Sequence, residues 1–167
     1  EGELRGGMTA LALFDGESAA GWLELVMPTW QVKDGVIEGS CKDAAYICRT
    51  ERHFEDDYDV RMDAKLVAEH PGPVFFALCP AYDGKDGHYT FGLLRGMLQF
   101  QENVGPDEDR EVANVSPANL KQTFDAKGWN TFELRFRGKD VIALVNGEEV
   151  AREARAPGRR GTSRQRT

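Results

Sequence analysis

The chain reads as an all-β protein, an antiparallel sandwich or barrel, on three observations. Apolar and polar residues alternate with the two-residue period of a half-buried strand along most of its length. Turn signals, Asp-Gly and Asn-Gly pairs above all, separate those stretches at roughly 8 to 14 residues. No helical period of useful length lies between them, which argues against a parallel sheet with crossover helices.

Each element follows from its own residues. "TALALF" opens the series, and Asp15-Gly16 and Ala20-Gly21 break it. "WQVKDGVIEG" predicts a hairpin at Asp34-Gly35, a pair suited to a two-residue turn whose central positions need positive φ. "AYICRT" follows. In "YDVRMDAKLV", Tyr58, Val60, Met62, Ala64 and Leu66 face one way, and Asp59, Arg61, Asp63 and Lys65 the other. "PVFFALC" is almost continuously apolar, as in a central strand. "HYTFGLL" and "MLQFQEN" come next, then "GPDEDRE", expected as an acidic loop, and "SPANLKQTF", expected to hold a short helix. "WNTFELRFRGKDVIALVNGEEV" supplies the last two strands, with a further turn at Asn146-Gly147.

At 167 residues the chain suits one domain large enough to bury a core without disulfide staples. Its hydrophobic share, 41%, and charged share, 29%, are those of an ordinary soluble domain. From Ala151 onward six arginines face one glutamate, so a net charge of -7 leaves -12 on the first 150 residues. That acidic body excludes nucleic acid as the expected partner. No apolar run approaches the roughly 20 residues of a membrane helix. The chain starts with Glu1, as a processed chain would. The three cysteines form no even framework; Cys41 and Cys48 flank a hairpin, and buried free thiols are the preferred reading.

Four segments in order, "LFDGESAAGW", "WQVKDGVIEG", "RTERHFEDDYDVRMDAKL" and "WNTFELRFRGKDVIALVNGEEV", resemble the 3-keto-disaccharide hydrolase domain family over roughly Leu11 to Val150. The resemblance implies a concanavalin A-like jelly roll of two packed antiparallel sheets, with the site on a concave face. It also implies sugar-related substrates, a lectin/glucanase-like fold and a periplasmic, secreted or envelope setting. The expected division is an N-terminal extension over 1–10, a jelly roll over 11–155 and an Arg-rich tail over 156–167, flexible or held by a partner. Three departures from the family pattern stand out. Ala77 occupies the usual arginine position, and Thr90 and Gly92 occupy the usual Glu and Gln positions. Nothing after Val150 resembles the usual last strand, which leaves a sheet edge for the N-terminus, the tail or a partner chain to cover.

Candidate site residues are acidic, basic and aromatic. Asp59, Arg61, Asp63 and Lys65 form one row and Glu133, Arg135 and Arg137 another; each is either a sugar-binding face or a solvated lattice of ion pairs. Asp59 and Asp63 are about 13 Å apart on one strand. That is too far for a glycosidase pair, so an acid and a base must meet across strands. If the family reaction operates, cleavage of a 3-keto-glycoside needs a base for the proton beside the ketone and an acid for the leaving oxygen. Asp63, Glu133 and His88 are the catalytic candidates; Asp59, Arg61, Arg135, Tyr82 and Tyr89 are the substrate-binding ones. His53 and His70 read as loop residues, and Trp22 and Trp129 as core within the family's motifs. The three histidines lack metal-ligand spacing, and no cofactor is expected. Calcium is the sole ion considered, at the acidic loops "YDGKDGH" and "GPDEDRE". The two function classes weighed are a carbohydrate-recognising or carbohydrate-processing domain and a non-catalytic subunit of a larger assembly.

Overall fold

The computed structural model describes residues 12, 14–18, 22–26, 29–40, 46–49, 57–67, 75–78, 89–94, 96–105, 108–120 and 124–154. His53, His70, Tyr82, His88, Cys41, Cys79 and the tail over 156–167 lie outside them. The chain divides into two compact units, Glu1–Arg52 and His53–Thr167.

In the first unit β1 (Trp22–Val26) pairs antiparallel with β4 (Tyr46–Arg49). Strand β2 (Thr29–Lys33) pairs with β3 (Val36–Ser40). Their turn is the predicted Asp-Gly pair: Asp34 has φ 51° and Gly35 φ 78°, the left-handed conformation that a tight hairpin demands. Phe14, the last residue of "TALALF", is in no strand.

The second unit is a sandwich of two four-stranded antiparallel sheets. The back sheet has the order β12 (Glu148–Ala154), β11 (Asp140–Val145), β10 (Asn130–Arg137), β5 (Tyr58–Ala64). The front sheet has the order β6 (Phe75–Leu78), β7 (Tyr89–Leu94), β8 (Met97–Gly105), β9 (Glu108–Val115). Within this unit every ladder joins sequence neighbours except that of β10 with β5.

The two-residue period sets what is buried. Phe132, Leu134 and Phe136 on β10, and Val141, Ala143 and Val145 on β11, point into the core; Phe91, Leu98 and Phe100 meet them from the front sheet. Rings bridge the layers: Phe91 and Phe132 lie 5.8 Å apart, and Tyr89 and Phe136 6.0 Å. Burying each such Phe or Leu contributes about 1.5–3 kcal/mol. Tyr58, Val60, Met62 and Ala64 pack against this cluster, as their alternation predicts.

Four expectations change. "GPDEDRE" is mostly strand, since β9 begins at Glu108. "PVFFALC" contributes β6, which ends its sheet among the described residues; an apolar run reports that both faces are covered, and not how many strands flank it. The final block holds three strands, because β12 continues past Val150 to Ala154. Trp129, expected in the core, is 55% exposed. It precedes β10 on the parity of Thr131, which points away from the core. The short helix is a single 3-10 turn, Pro117–Asn119.

Candidate functional site

Both sheets of the sandwich present an outer face, and the two differ in chemistry. On the back sheet, Asp59, Arg61 and Asp63 share one face with Thr131, Glu133, Arg135 and Arg137. The register sets Asp59 opposite Arg135, Arg61 opposite Glu133, and Asp63 opposite Thr131. The two predicted rows therefore do lie side by side. Asp63 and Glu133 are diagonal neighbours, about 7–8 Å apart at their Cα atoms.

Their charges are already engaged with one another. Arg135 holds Glu133 with a fork, Nε to Oε1 at 2.8 Å and Nη2 to Oε2 at 3.0 Å. That bond pushes the Arg135 guanidinium above its ordinary pKa. Arg137 Nη2 donates to Asp59 at 2.6 Å, while the other Asp59 oxygen is buried without a hydrogen-bond partner among the described residues. Asp63 accepts from the Thr131 hydroxyl at 2.6 Å and from Arg61 at 3.3 Å. The pattern is a lattice of cross-strand and same-strand pairs, strongest where exposure is least.

The front sheet's outer face is built from residues that alternate with its core. Tyr89, Phe91 and Leu93 point inward, so Thr90 and Gly92 point out; Leu98, Phe100 and Glu102 point inward, so Gln99 and Gln101 point out. The register makes two rows. Thr90, Gln101 and Glu111 form one; Gly92, Gln99 and Asn114 form the other, with Ala77 opposite Gly92 on β6. Gln99 and Gln101 are about 6–7 Å apart along β8. The register shifts between Phe100 and Gln101, leaving Val112 as the extra residue of a bulge that turns Glu111 onto this face. Glu111 is exposed and makes no ion pair among the described residues. The Gln99 Oε1 atom is buried and has no hydrogen-bond partner among them. This face can thus donate and accept hydrogen bonds through amides and one hydroxyl, with one carboxylate at its rim.

The predicted residues are distributed unevenly over these surfaces. Asp59, Arg61, Asp63, Glu133 and Arg135 come together on the back sheet. Thr90 and Gly92, the departures from the family pattern, are on the front sheet, across the hydrophobic core from all five. Tyr89 was expected as a stacking platform; its ring is 7% exposed and packs between Phe100 and Phe136, because its odd position on β7 is a core position. His88 and Tyr82 lie outside the described residues. Sequence reasoning passed over Gln99, Gln101, Asn114 and Glu111. The Gln-Phe-Gln alternation in "MLQFQEN" was the available signal for the glutamines; the bulge that orients Glu111 leaves none. Among the described residues no group of His, Cys, Asp and Glu could hold a metal ion.

A two-sheet antiparallel sandwich with a polar, nearly uncharged outer sheet face defines a jelly-roll domain of the lectin/glucanase-like type. The chain belongs to the 3-keto-alpha-glucoside-1,2-lyase-like domain family, whose model matches residues 9–166. The match runs past Val150, where the sequence resemblance had ended, and takes in the Arg-rich segment. No curated protein and no solved structure matches the chain. No helix among the described residues is long and apolar enough to cross a membrane.

Proposed function

We propose that this domain recognises a glycoside, or its 3-keto derivative, on the outer face of the front sheet, in an extracytoplasmic setting. The observation that carries the reading is the neutral row of side chains that Thr90, Gln99, Gln101 and Asn114 set on one face, beside side-chain-free Gly92. Side-chain amides and a hydroxyl can both donate to and accept from sugar hydroxyls, without the desolvation cost of a charge. Family membership supplies the substrate class.

Glu111 favours a second, catalytic reading of the same site. Elimination from a 3-keto-glycoside removes the proton on the carbon beside the ketone. The electron pair left behind forms a carbon–carbon double bond as the glycosidic oxygen departs and takes up a proton. A carboxylate not committed to an ion pair can accept the first proton. Glu111, without an ion pair among the described residues, is such a group on this face, whereas Glu133 and Asp63 are engaged across the core.

Titration calorimetry with glucosides, and turnover of a 3-keto-disaccharide, test both readings. Gln101→Ala should weaken binding about tenfold, the loss of one or two hydrogen bonds. Glu111→Gln should preserve binding and abolish turnover. Unchanged affinity in both Gln99→Ala and Gln101→Ala, or a loss confined to Glu133→Ala, would place recognition elsewhere.

A further inference from the structure

The two exposed large hydrophobic residues of the described chain, Trp129 and Val67, stand at the same end of the β5–β10 pair. Asn130 pairs with Ala64, so Trp129 follows on beside Lys65 as the antiparallel ladder runs out. Exposure continues to alternate beyond β5: Asp63, Lys65 and Val67 are exposed, while Ala64 and Leu66 are half-buried. Trp129, Lys65 and Asp63 thus share one side, next to the Thr131–Asp63 hydrogen bond.

Trp129 is uncommitted. Its indole makes no hydrogen bond, ring contact or cation–π contact among the described residues, and Lys65 makes no ion pair among them. A buried Trp normally finds a partner for its N–H, and an exposed one leaves a rigid aromatic face available. The backbone on both sides is locked. Asn130 is 4% exposed; its amide accepts from Asp125 N–H at 2.9 Å and donates to Asp125 C=O at 2.7 Å and Gly128 C=O at 3.3 Å. Gly128 N–H closes the turn onto Asp125 C=O at 3.3 Å. A Cβ at Gly128 would displace the Asp125 carboxylate, which packs over the turn. A large amphipathic side chain on a rigid mount binds with little ordering cost.

We propose that Trp129, with Lys65 and Asp63, forms a second carbohydrate-contacting surface, on which a pyranose ring lays its C–H face against the indole. Lys65 donates to ring hydroxyls and Asp63 accepts from them. The charged neighbours favour a hydroxyl-rich ligand over an apolar protein surface, whose contact would desolvate Asp63, Arg61 and Lys65 together. This surface is independent of the front-sheet face and survives the failure of that reading.

Affinity electrophoresis through gels containing soluble starch, hydroxyethyl cellulose or xylan tests it, with near-UV circular dichroism to verify each fold. The wild type should be retarded in at least one gel. Trp129→Ala should raise the apparent dissociation constant roughly five- to tenfold, with Trp129→Tyr close to wild type and Gln101→Ala retaining the Trp129-dependent part. Lys65→Ala should weaken retardation less. Migration of the wild type unchanged in every gel overturns the proposal, as does equal retardation of Trp129→Ala. A Trp129-dependent change in oligomeric state on size exclusion, without retardation, also overturns it and makes the patch a protein contact.

Discussion

Asn146 donates from Nδ2 to Oδ1 of Asn130 at 3.0 Å, joining the β11–β12 turn to the start of β10. Each asparagine also acts as a piece of backbone. Asn146 accepts Thr131 N–H at 2.8 Å through its side chain and donates its own N–H to Thr131 C=O at 2.8 Å. The amide of Asn130 closes the Asp125–Gly128 turn. Replacing Asn130 with Ala removes the partner of several part-buried polar groups at once. The expected cost is about 3 kcal/mol, read as a lower urea midpoint with an unchanged m-value.

At position 146 the same network meets a backbone constraint. Asn146 has φ 50° and Gly147 φ 82°, so the turn needs left-handed residues at both places. Asn146→Gly keeps the conformation and loses the bonds to Thr131 N–H and Asn130 Oδ1, for about 2 kcal/mol. Asn146→Ala loses both bonds and strains the turn as well, for about 3 kcal/mol. Equal costs for Ala and Gly in thermal unfolding would show that the turn relaxes freely.

Arg110 joins the two sheets at one edge. It donates to Glu102 through Nε at 3.0 Å and Nη2 at 2.6 Å, and its Nη2 lies 3.1 Å from Glu153 on β12. The Glu102 hydrogen bonds, then those of Glu153, push the Arg110 guanidinium above its ordinary pKa. Glu102 is 5% exposed, so a lone Arg110→Ala substitution strips a buried carboxylate of both hydrogen bonds from Arg110 and should cost about 2–3 kcal/mol. Adding Glu102→Gln should recover part of that loss. A double variant less stable than Arg110→Ala in the thermodynamic cycle contradicts the account.

How far the sequence carried depends on whether a signal was local. The hairpin turns were legible because positive φ at Asp34-Gly35 and Asn146-Gly147 is written in two adjacent residues. The cores of β5 and β10 were legible because alternation fixes one face of each strand. Which sheet a charged row sits on was not legible, since period two says that Asp63 and Tyr58 part company and nothing about which strand comes alongside. Pairing of β10 with β5, across the 65 residues between Ala64 and Asn130, settled that, and set the charged rows across the core from Thr90 and Gly92. Trp129 misled for a related reason. Its membership in a recurrent motif implied packing, while its parity with Thr131 puts it outside.

The β12 edge offers a pH test with a defined sign. Arg152 donates to Glu149 at 2.9 Å through Nη2 and to Asp140 at 2.9 Å through Nη1. The Arg152 hydrogen bond holds the Glu149 carboxyl below its ordinary pKa. A carboxyl depressed in the folded state stabilises the protein above its unfolded pKa of about 4.3 and loses that contribution as pH falls through the lower folded value. Glu149→Gln should therefore lower Tm slightly at pH 7, by at most about 2 °C for so exposed a pair. The difference should close as pH is taken below the folded value. It should also shrink at pH 7 in 1 M salt, where surface pairs are screened. A gap that persists unchanged at pH 2 would assign the effect of the substitution to packing of the Glu149 side chain and not to its charge.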